Sequence, residues 1–133
     1  MIQKHPINPD LFYALNCQIP DIAVLVGSRA LGTATDDSDW DIAIWWSEDH
    51  DTWQQLGHTE TLRRALALAL NTREENIDLI QAPTAGLAMR EKIANEGQLI
   101  YTHNPLKWIH FLTRTWREIE QFHWEREHYA IDT

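Results

Sequence analysis

Residues 21–46 read DIAVLVGSRALGTATDDSDWDIAIWW, and this stretch decides the fold. It begins with a short apolar run at residues 22–26 that stops at Gly27-Ser28. A run of this length, rich in β-branched residues and bounded by a turn signal, is typical of a buried strand. Polar and apolar residues then alternate over residues 38–46, which predicts a second strand.

The alternation in the second strand separates acidic from apolar side chains. A period of two places Asp39 and Asp41 together on one face. The opposite face would carry Trp40, Ile42, Ile44 and Trp46. Two close carboxylates repel each other unless a cation neutralises them, and carboxylate oxygens suit Mg²⁺. The pattern therefore predicts a metal site, with a solvated acidic turn as the alternative.

A third carboxylate stands in the apolar run at residues 76–80, which reads NIDLI. Burying Asp78 there without a partner would be costly, so we expect it to join the pair or to meet a basic side chain. Divalent ions about 3.5–4 Å apart can activate a hydroxyl and stabilise leaving pyrophosphate. Asp39, Asp41 and Asp78 are therefore the predicted metal ligands and catalytic residues.

The turn after the first strand is suited to phosphate. Gly27 lets the backbone approach closely, and the Ser28 hydroxyl can donate to a phosphate oxygen. Arg29 could add charge-assisted hydrogen bonds. These three are the predicted nucleotide-binding residues, although Ser28 could instead cap a turn and Arg29 could form a surface ion pair.

The spacing of these residues resembles the DNA polymerase β-like nucleotidyltransferase superfamily, whose signature is Gly-Ser, ten residues and Asp-x-Asp. Gly27-Ser28 and Asp39-Trp40-Asp41 match it without a gap, and Asp78 follows on a later strand where the family places its third carboxylate. The resemblance covers roughly residues 21–101. It implies ATP as substrate and two Mg²⁺ ions as cofactors.

Within that superfamily the chain is similar to the minimal nucleotidyltransferase (MNT) antitoxins of the MntA type. The similarity lies in the lack of additional domains and in a long C-terminal helix. It implies a hetero-oligomer with a cognate HEPN-family ribonuclease toxin (HepT-like). It also implies neutralisation of that toxin by AMP transfer to one of its tyrosines.

The remaining segments predict alternating helices and strands. They are a helix at residues 52–71, a strand at 76–81, a helix at 83–97, a short strand at 99–101 and a long helix at 105–128. We expect one α/β (α+β) domain over residues 1–133, with a mixed sheet flanked by helices and a catalytic core at about 21–101.

Composition narrows the class of protein. A length of 133 residues with 44% hydrophobic content suits one core. Twenty acidic and eleven basic residues give a net charge of -9, which disfavours direct nucleic-acid binding. Cys17 is the single cysteine, residues 1–9 lack the apolar region of a signal peptide, and no stretch approaches a membrane span. We expect a cytoplasmic location.

Two other ligand-binding motifs, a calcium loop and a P-loop, are excluded because each lacks residues that it requires. A calcium loop fits Asp37, Asp39, Asp41 and Glu48, but its sixth position requires glycine and is Ile42 here. A P-loop fits Gly27 and Gly32, but Thr33-Ala34 stands where Lys and Ser or Thr are required.

Three alternatives for function stay open. The fold could be an inert module that neutralises a toxin by occlusion, or the transferase could act on RNA or on a small molecule. Arg117 and His123 also have the Arg-x₅-His spacing of HEPN ribonucleases, which would make this chain the nuclease itself.

Seven tryptophans exceed the needs of a small core, and we expect Trp116 and Trp124 to be exposed for partner docking.

Overall fold

The computed structural model describes residues 7–129. Residues 1–6 and 130–133, which the single-domain prediction includes, lie outside the described part, as does most of the N-terminal segment considered for export. The strands are β1 (Ile22–Val26), β2 (Trp40–Trp45), β3 (Ile77–Gln81) and β4 (Gln98–Thr102). The α-helices are α1 (Ser28–Leu31), α2 (Thr52–Ala69), α3 (Leu87–Glu96) and α4 (Pro105–Tyr129). Short 3-10 helices cover Pro9–Ala14, Glu74–Asn76 and Ala82–Thr84.

The four strands form one mixed sheet in the order β3-β2-β1-β4. Strand β1 is antiparallel to β2 and β4, whereas β2 and β3 are parallel. Parallel neighbours need a long crossover, and α2 supplies it. The predicted mixed sheet with flanking helices is confirmed.

Strand β2 is buried on both faces, and its two faces pack against different helices. One core contains Trp40, Ile42, Ile44 and Trp46 together with Leu62 and Leu66 of α2. The other contains Ala43 and Trp45 with Ile93 of α3, and Trp108 and Phe111 of α4 pack against it. The predicted apolar face is therefore confirmed, and the sheet lies between α2 and the pair α3 and α4.

The helix ends follow local chemistry in most cases. Asp51 caps α2 in a capping box, in which each of two hydrogen bonds with Gln54 is 2.8 Å long. Asn104 Oδ1 accepts a 3.2 Å bond from the Lys107 amide at the start of α4. The prediction that a helix begins at residue 83 is wrong, because Ala85 and Gly86 have extended ψ angles of 149° and 166°. Helix α3 therefore begins only at Leu87.

Helix α4 is largely solvent-exposed, and only Thr115 among its side chains is fully buried. Trp116 and Trp124 are 46% and 53% exposed, so their predicted exposure is confirmed. Arg90 of α3 pairs with Glu118 and ties the two helices together. Within residues 7–129, no helix combines the length and apolar character that a membrane crossing requires.

Candidate active site

The β2–β3 register brings two predicted acids together. Asp41 and Asp78 are direct partners on these parallel strands, whose backbones lie about 4.8 Å apart. Asp39 lies just before β2 and is exposed, and Asp78 is exposed as well, so the burial considered for Asp78 is wrong. Burial, followed by the charges of Asp78 and Asp39, raises the pKa of the Asp41 carboxyl, whereas Lys92 acts in the opposite direction. Asp78 and Asp39 are therefore both close enough to act on Asp41.

No ion pair within the described residues neutralises this acidic group, and Lys92 acts on Asp41 only from a distance. Within residues 7–129, no Lys, Arg or His forms an ion pair with Asp39, Asp41 or Asp78. The same residues contain no group of three or more His, Cys, Asp or Glu side chains that could hold a metal ion, so Asp39, Asp41 and Asp78 do not meet as one complete ligand set. The arrangement is thus an open carboxylate pair with a nearby third acid. Such a pair fits a divalent cation, because repulsion between its members is relieved by bound positive charge.

Gly27 is held against the same carboxylate. Strand register pairs Val26 with Asp41, so the turn after β1 meets the acidic end of β2. The Gly27 backbone has φ 73° and ψ -157°, a region that essentially only glycine occupies. A Cβ atom here would lie 2.5 Å from Asp41 Oδ2. The glycine therefore serves both the turn and the close approach of the two strands.

Ser28 follows as the first residue of α1. Gly27 is the N-cap of this helix, and no side chain caps it, so the alternative role for Ser28 as a cap is not seen. Its hydroxyl has no hydrogen-bond partner within the described residues, while its carbonyl accepts a 3.0 Å bond from the Thr33 amide. The Ser28 hydroxyl is thus available to a ligand beside Asp41.

Arg29 has a different set of contacts from its neighbour. Its Nη2 donates to the carbonyls of Ser38 at 2.8 Å and Thr35 at 3.3 Å, and its Nε donates to Ser38 at 3.3 Å. The guanidinium carbon lies 3.9 Å from the Trp40 ring centroid. Arg29 therefore fixes the loop that leads to Asp39. Phosphate binding by this residue stays a prediction, and Nη1 is the nitrogen left for it.

Two residues near the site carry no motif in the sequence. Lys92 of α3 is the cation that favours the charged form of Asp41, although its position in the helical pattern did not indicate that it lies near the site. Gln98 of β4 donates from its side-chain amide to the Ala30 carbonyl and so anchors α1. Both contacts depend on tertiary packing, and no local signal in the sequence would have revealed them.

The comparisons with known proteins agree with this geometry. The family described as polymerase beta, nucleotidyltransferase matches residues 13–106. The chain belongs to this nucleotidyltransferase family. The matched segment of the nucleotidyltransferase includes the Gly27-Ser28 turn and all three acids. A search of curated protein sequences finds no match.

Several solved structures share the fold of this nucleotidyltransferase. A toxin-antitoxin crystallised with AMP-PNP is 22% identical with a TM-score of 0.67, and the match covers 95% of this chain and 98% of that one. A tri-AMPylated Shewanella oneidensis HEPN toxin in complex with MNT antitoxin is 19% identical with a TM-score of 0.61, and the match covers 97% of this chain and 98% of that one. A toxin-antitoxin MntA-HepT structure is 19% identical with a TM-score of 0.60, and the match covers 94% of this chain and 95% of that one. At these identities the likeness establishes the fold.

Proposed function

We propose that this protein is a Mg²⁺-dependent protein adenylyltransferase that moves AMP from ATP to a tyrosine of a HEPN-family ribonuclease toxin and thereby neutralises it. The proposal rests mainly on one observation. Asp41 and Asp78 are register partners beside the Gly27-Ser28 turn, and no cation of the described chain pairs with them. Membership of the nucleotidyltransferase family supports the same chemistry.

The acids would hold one or two Mg²⁺ ions. Asp41 and Asp78 provide the fixed pair, and Asp39 lies close enough to act on Asp41 electrostatically. When bound, Mg²⁺ would neutralise the phosphates and stabilise the departing pyrophosphate.

The chain's own groups have separate tasks in the transfer. The Ser28 hydroxyl donates to a phosphate oxygen, and Gly27 allows the phosphates to approach the backbone. Asp78 orients the tyrosine hydroxyl and accepts its proton. The tyrosine oxygen then bonds to the α-phosphorus, the bond between the α- and β-phosphates breaks, and pyrophosphate leaves.

The partner assignment draws on the neighbours and on helix α4. The structural neighbours are described as toxin-antitoxin complexes, one of them with a tri-AMPylated HEPN toxin. Trp116 and Trp124 are large aromatic side chains on an exposed helix, and tryptophan is enriched at interface hot spots. These features support a hetero-oligomer with such a toxin. A cytoplasmic location would supply ATP and agrees with the free Cys17.

The test is an acceptor comparison under identical ATP and Mg²⁺. The protein is incubated with α-labelled ATP and, separately, with the product of the neighbouring reading frame, total RNA or an aminoglycoside. Label should enter the protein acceptor, and Asp41→Asn should abolish incorporation while far-ultraviolet circular dichroism confirms its fold. Label confined to RNA or to the aminoglycoside would refute the protein acceptor. Toxin neutralisation without any label would favour occlusion.

A further inference from the structure

A cavity lies at the opposite end of β2 from the acidic group. It has a volume of about 320 Å³ and lies between the 3-10 helix Ala82–Thr84 and α4. Trp45 and Phe111 line it, with ring centroids 4.9 Å apart in an edge-to-face arrangement. Trp45 is four residues beyond Asp41, which separates the two places by roughly 13 Å along the strand.

Two arginines at the mouth of the cavity share one carboxylate. Arg90 and Arg114 both line the cavity, and both bond to the single carboxylate of Glu118. Arg90 Nε also donates to the Ala85 carbonyl at 3.1 Å. Nη2 of Arg90 and both terminal nitrogens of Arg114 have no hydrogen-bond partner among residues 7–129. These donors therefore stay available in a protein whose overall charge is -9.

The third cation at the mouth, Lys107, is already matched by two carboxylates. Lys107 Nζ lies 2.8 Å from Glu48 Oε1 and 3.2 Å from Asp21 Oδ2. Its third contact is the Trp46 carbonyl at 3.3 Å, so the ammonium group is saturated. Among the side chains with a permanent positive charge, the unused donors are therefore on the two arginines; the ring of His110, which also lines the cavity, makes no hydrogen bond within residues 7–129 either.

A buried hydroxyl on the cavity wall has no partner. Thr115 is completely buried and lines the cavity, and its Oγ1 makes no hydrogen bond within the described residues. A helical threonine commonly bonds to the carbonyl four residues earlier, as Thr113 does to Ile109 at 3.0 Å. An unpaired buried hydroxyl is unfavourable, so the exception at Thr115 points to a ligand that completes it.

We propose that this cavity binds a small organic anion. Its flat apolar body would lie against Trp45 and Phe111, and its oxyanion group would accept hydrogen bonds from Arg90, Arg114 and Thr115. The cavity volume is near the lower end of the range for ligand pockets, about 300–1,000 Å³, and this limits the ligand to the size of about two or three rings. The site is separate from the proposed transfer chemistry and does not depend on it.

The test uses 1-anilinonaphthalene-8-sulfonate as the probe, with titration calorimetry for affinity and methyl NMR for location. The sulfonate should shift the methyl signals of Ala82, Ala85 and Thr115. Inorganic sulfate and neutral N-phenyl-1-naphthylamine, which each lack half of the proposed ligand, should bind at least about tenfold more weakly.

Four variants test the proposed site: two should weaken sulfonate binding and two are controls. Arg114→Gln and Thr115→Val should each weaken sulfonate binding at least about tenfold, and Thr115→Val should raise the melting temperature of the free protein. Arg117→Gln, which removes the same charge from the same helix, and Asp41→Asn should leave affinity within about twofold. Equal losses in Arg114→Gln and Arg117→Gln, or unchanged binding in Thr115→Val, would overturn the proposal. Equally tight binding of the neutral amine would do so too.

Discussion

Replacing Gly27 by alanine should lower both stability and transfer, for two reasons that are visible in the same turn. The backbone at this position has φ 73° and ψ -157°. Holding a residue with a side chain in that region costs about 1–3 kcal/mol. For a chain of this size the loss corresponds to roughly 4–12 °C in melting temperature.

The second reason concerns the site itself. The added Cβ would lie 2.5 Å from Asp41 Oδ2, so the carboxylate must rotate away from its position beside Asp78. The rotation adds little to the loss of stability, because the group that moves is the end of a side chain. A displacement of about 1 Å at a reacting centre can cost about 100-fold in rate, and we expect a loss of that size in AMP transfer.

The assay combines urea unfolding, followed by tryptophan fluorescence, with transfer measured at a temperature where both proteins are folded. Gly57→Ala is the matched control. Gly57 lies within α2, and no atom lies within 4 Å of the Cβ it would gain. This control should stabilise the protein by about 0.5–1 kcal/mol and leave transfer unchanged. A Gly27→Ala protein with wild-type stability and turnover would refute the reasoning.

Three further predictions concern other parts of the chain. Asp51→Ala removes the capping box of α2 and should cost about 1 kcal/mol in urea unfolding; no change would contradict the role of the cap. Burial raises the pKa of Tyr101 to about 12, above the unfolded value of about 10, so its contribution is complete below pH 10 and is lost as pH rises towards 12. Urea midpoints between about pH 9 and 11.5 should therefore fall more steeply in the wild type than in Tyr101→Phe, and parallel curves would contradict this. Trp124→Ala should weaken partner binding by about 2 kcal/mol or more, whereas replacing the more exposed Trp53 of α2 by alanine should not, and equal effects would argue against docking on α4.

The sequence was most informative where a local pattern coincides with a buried surface. The alternation in residues 38–46 correctly identified the apolar face of β2, because both periodicity and burial constrain the same side chains. The N-cap of α4 is likewise a local feature of the chain, because Asn104 Oδ1 accepts a 3.2 Å bond from the nearby Lys107 amide. The proximity of Asp78 to Asp41 was suggested by its charge within an apolar run. Its position as a register partner needed the parallel pairing of β2 with β3.

The features that the sequence did not reveal depend on contacts between distant elements. Arg29 was read as a phosphate ligand from its place after Gly27-Ser28, but its contacts with the Ser38 and Thr35 carbonyls arise only when the loop folds back. The start of α3 was placed too early, because Pro83 is a common first residue of helices and extended backbone at Ala85 and Gly86 intervenes. The cavity at the far end of β2 combines residues from β2, the 3-10 helix Ala82–Thr84, α3 and α4, and no spacing along the chain encodes it.

The most direct test of the proposed function is the intact mass of the co-expressed partner. The partner is purified with the wild-type protein and, in parallel, with Asp41→Asn, and each complex is incubated with ATP and Mg²⁺ before mass spectrometry. We expect the partner to gain the mass of one or more AMP groups on tyrosine with the wild type and to gain none with Asp41→Asn. An unmodified partner in a stable wild-type complex, or equal modification by Asp41→Asn, would contradict the proposed function.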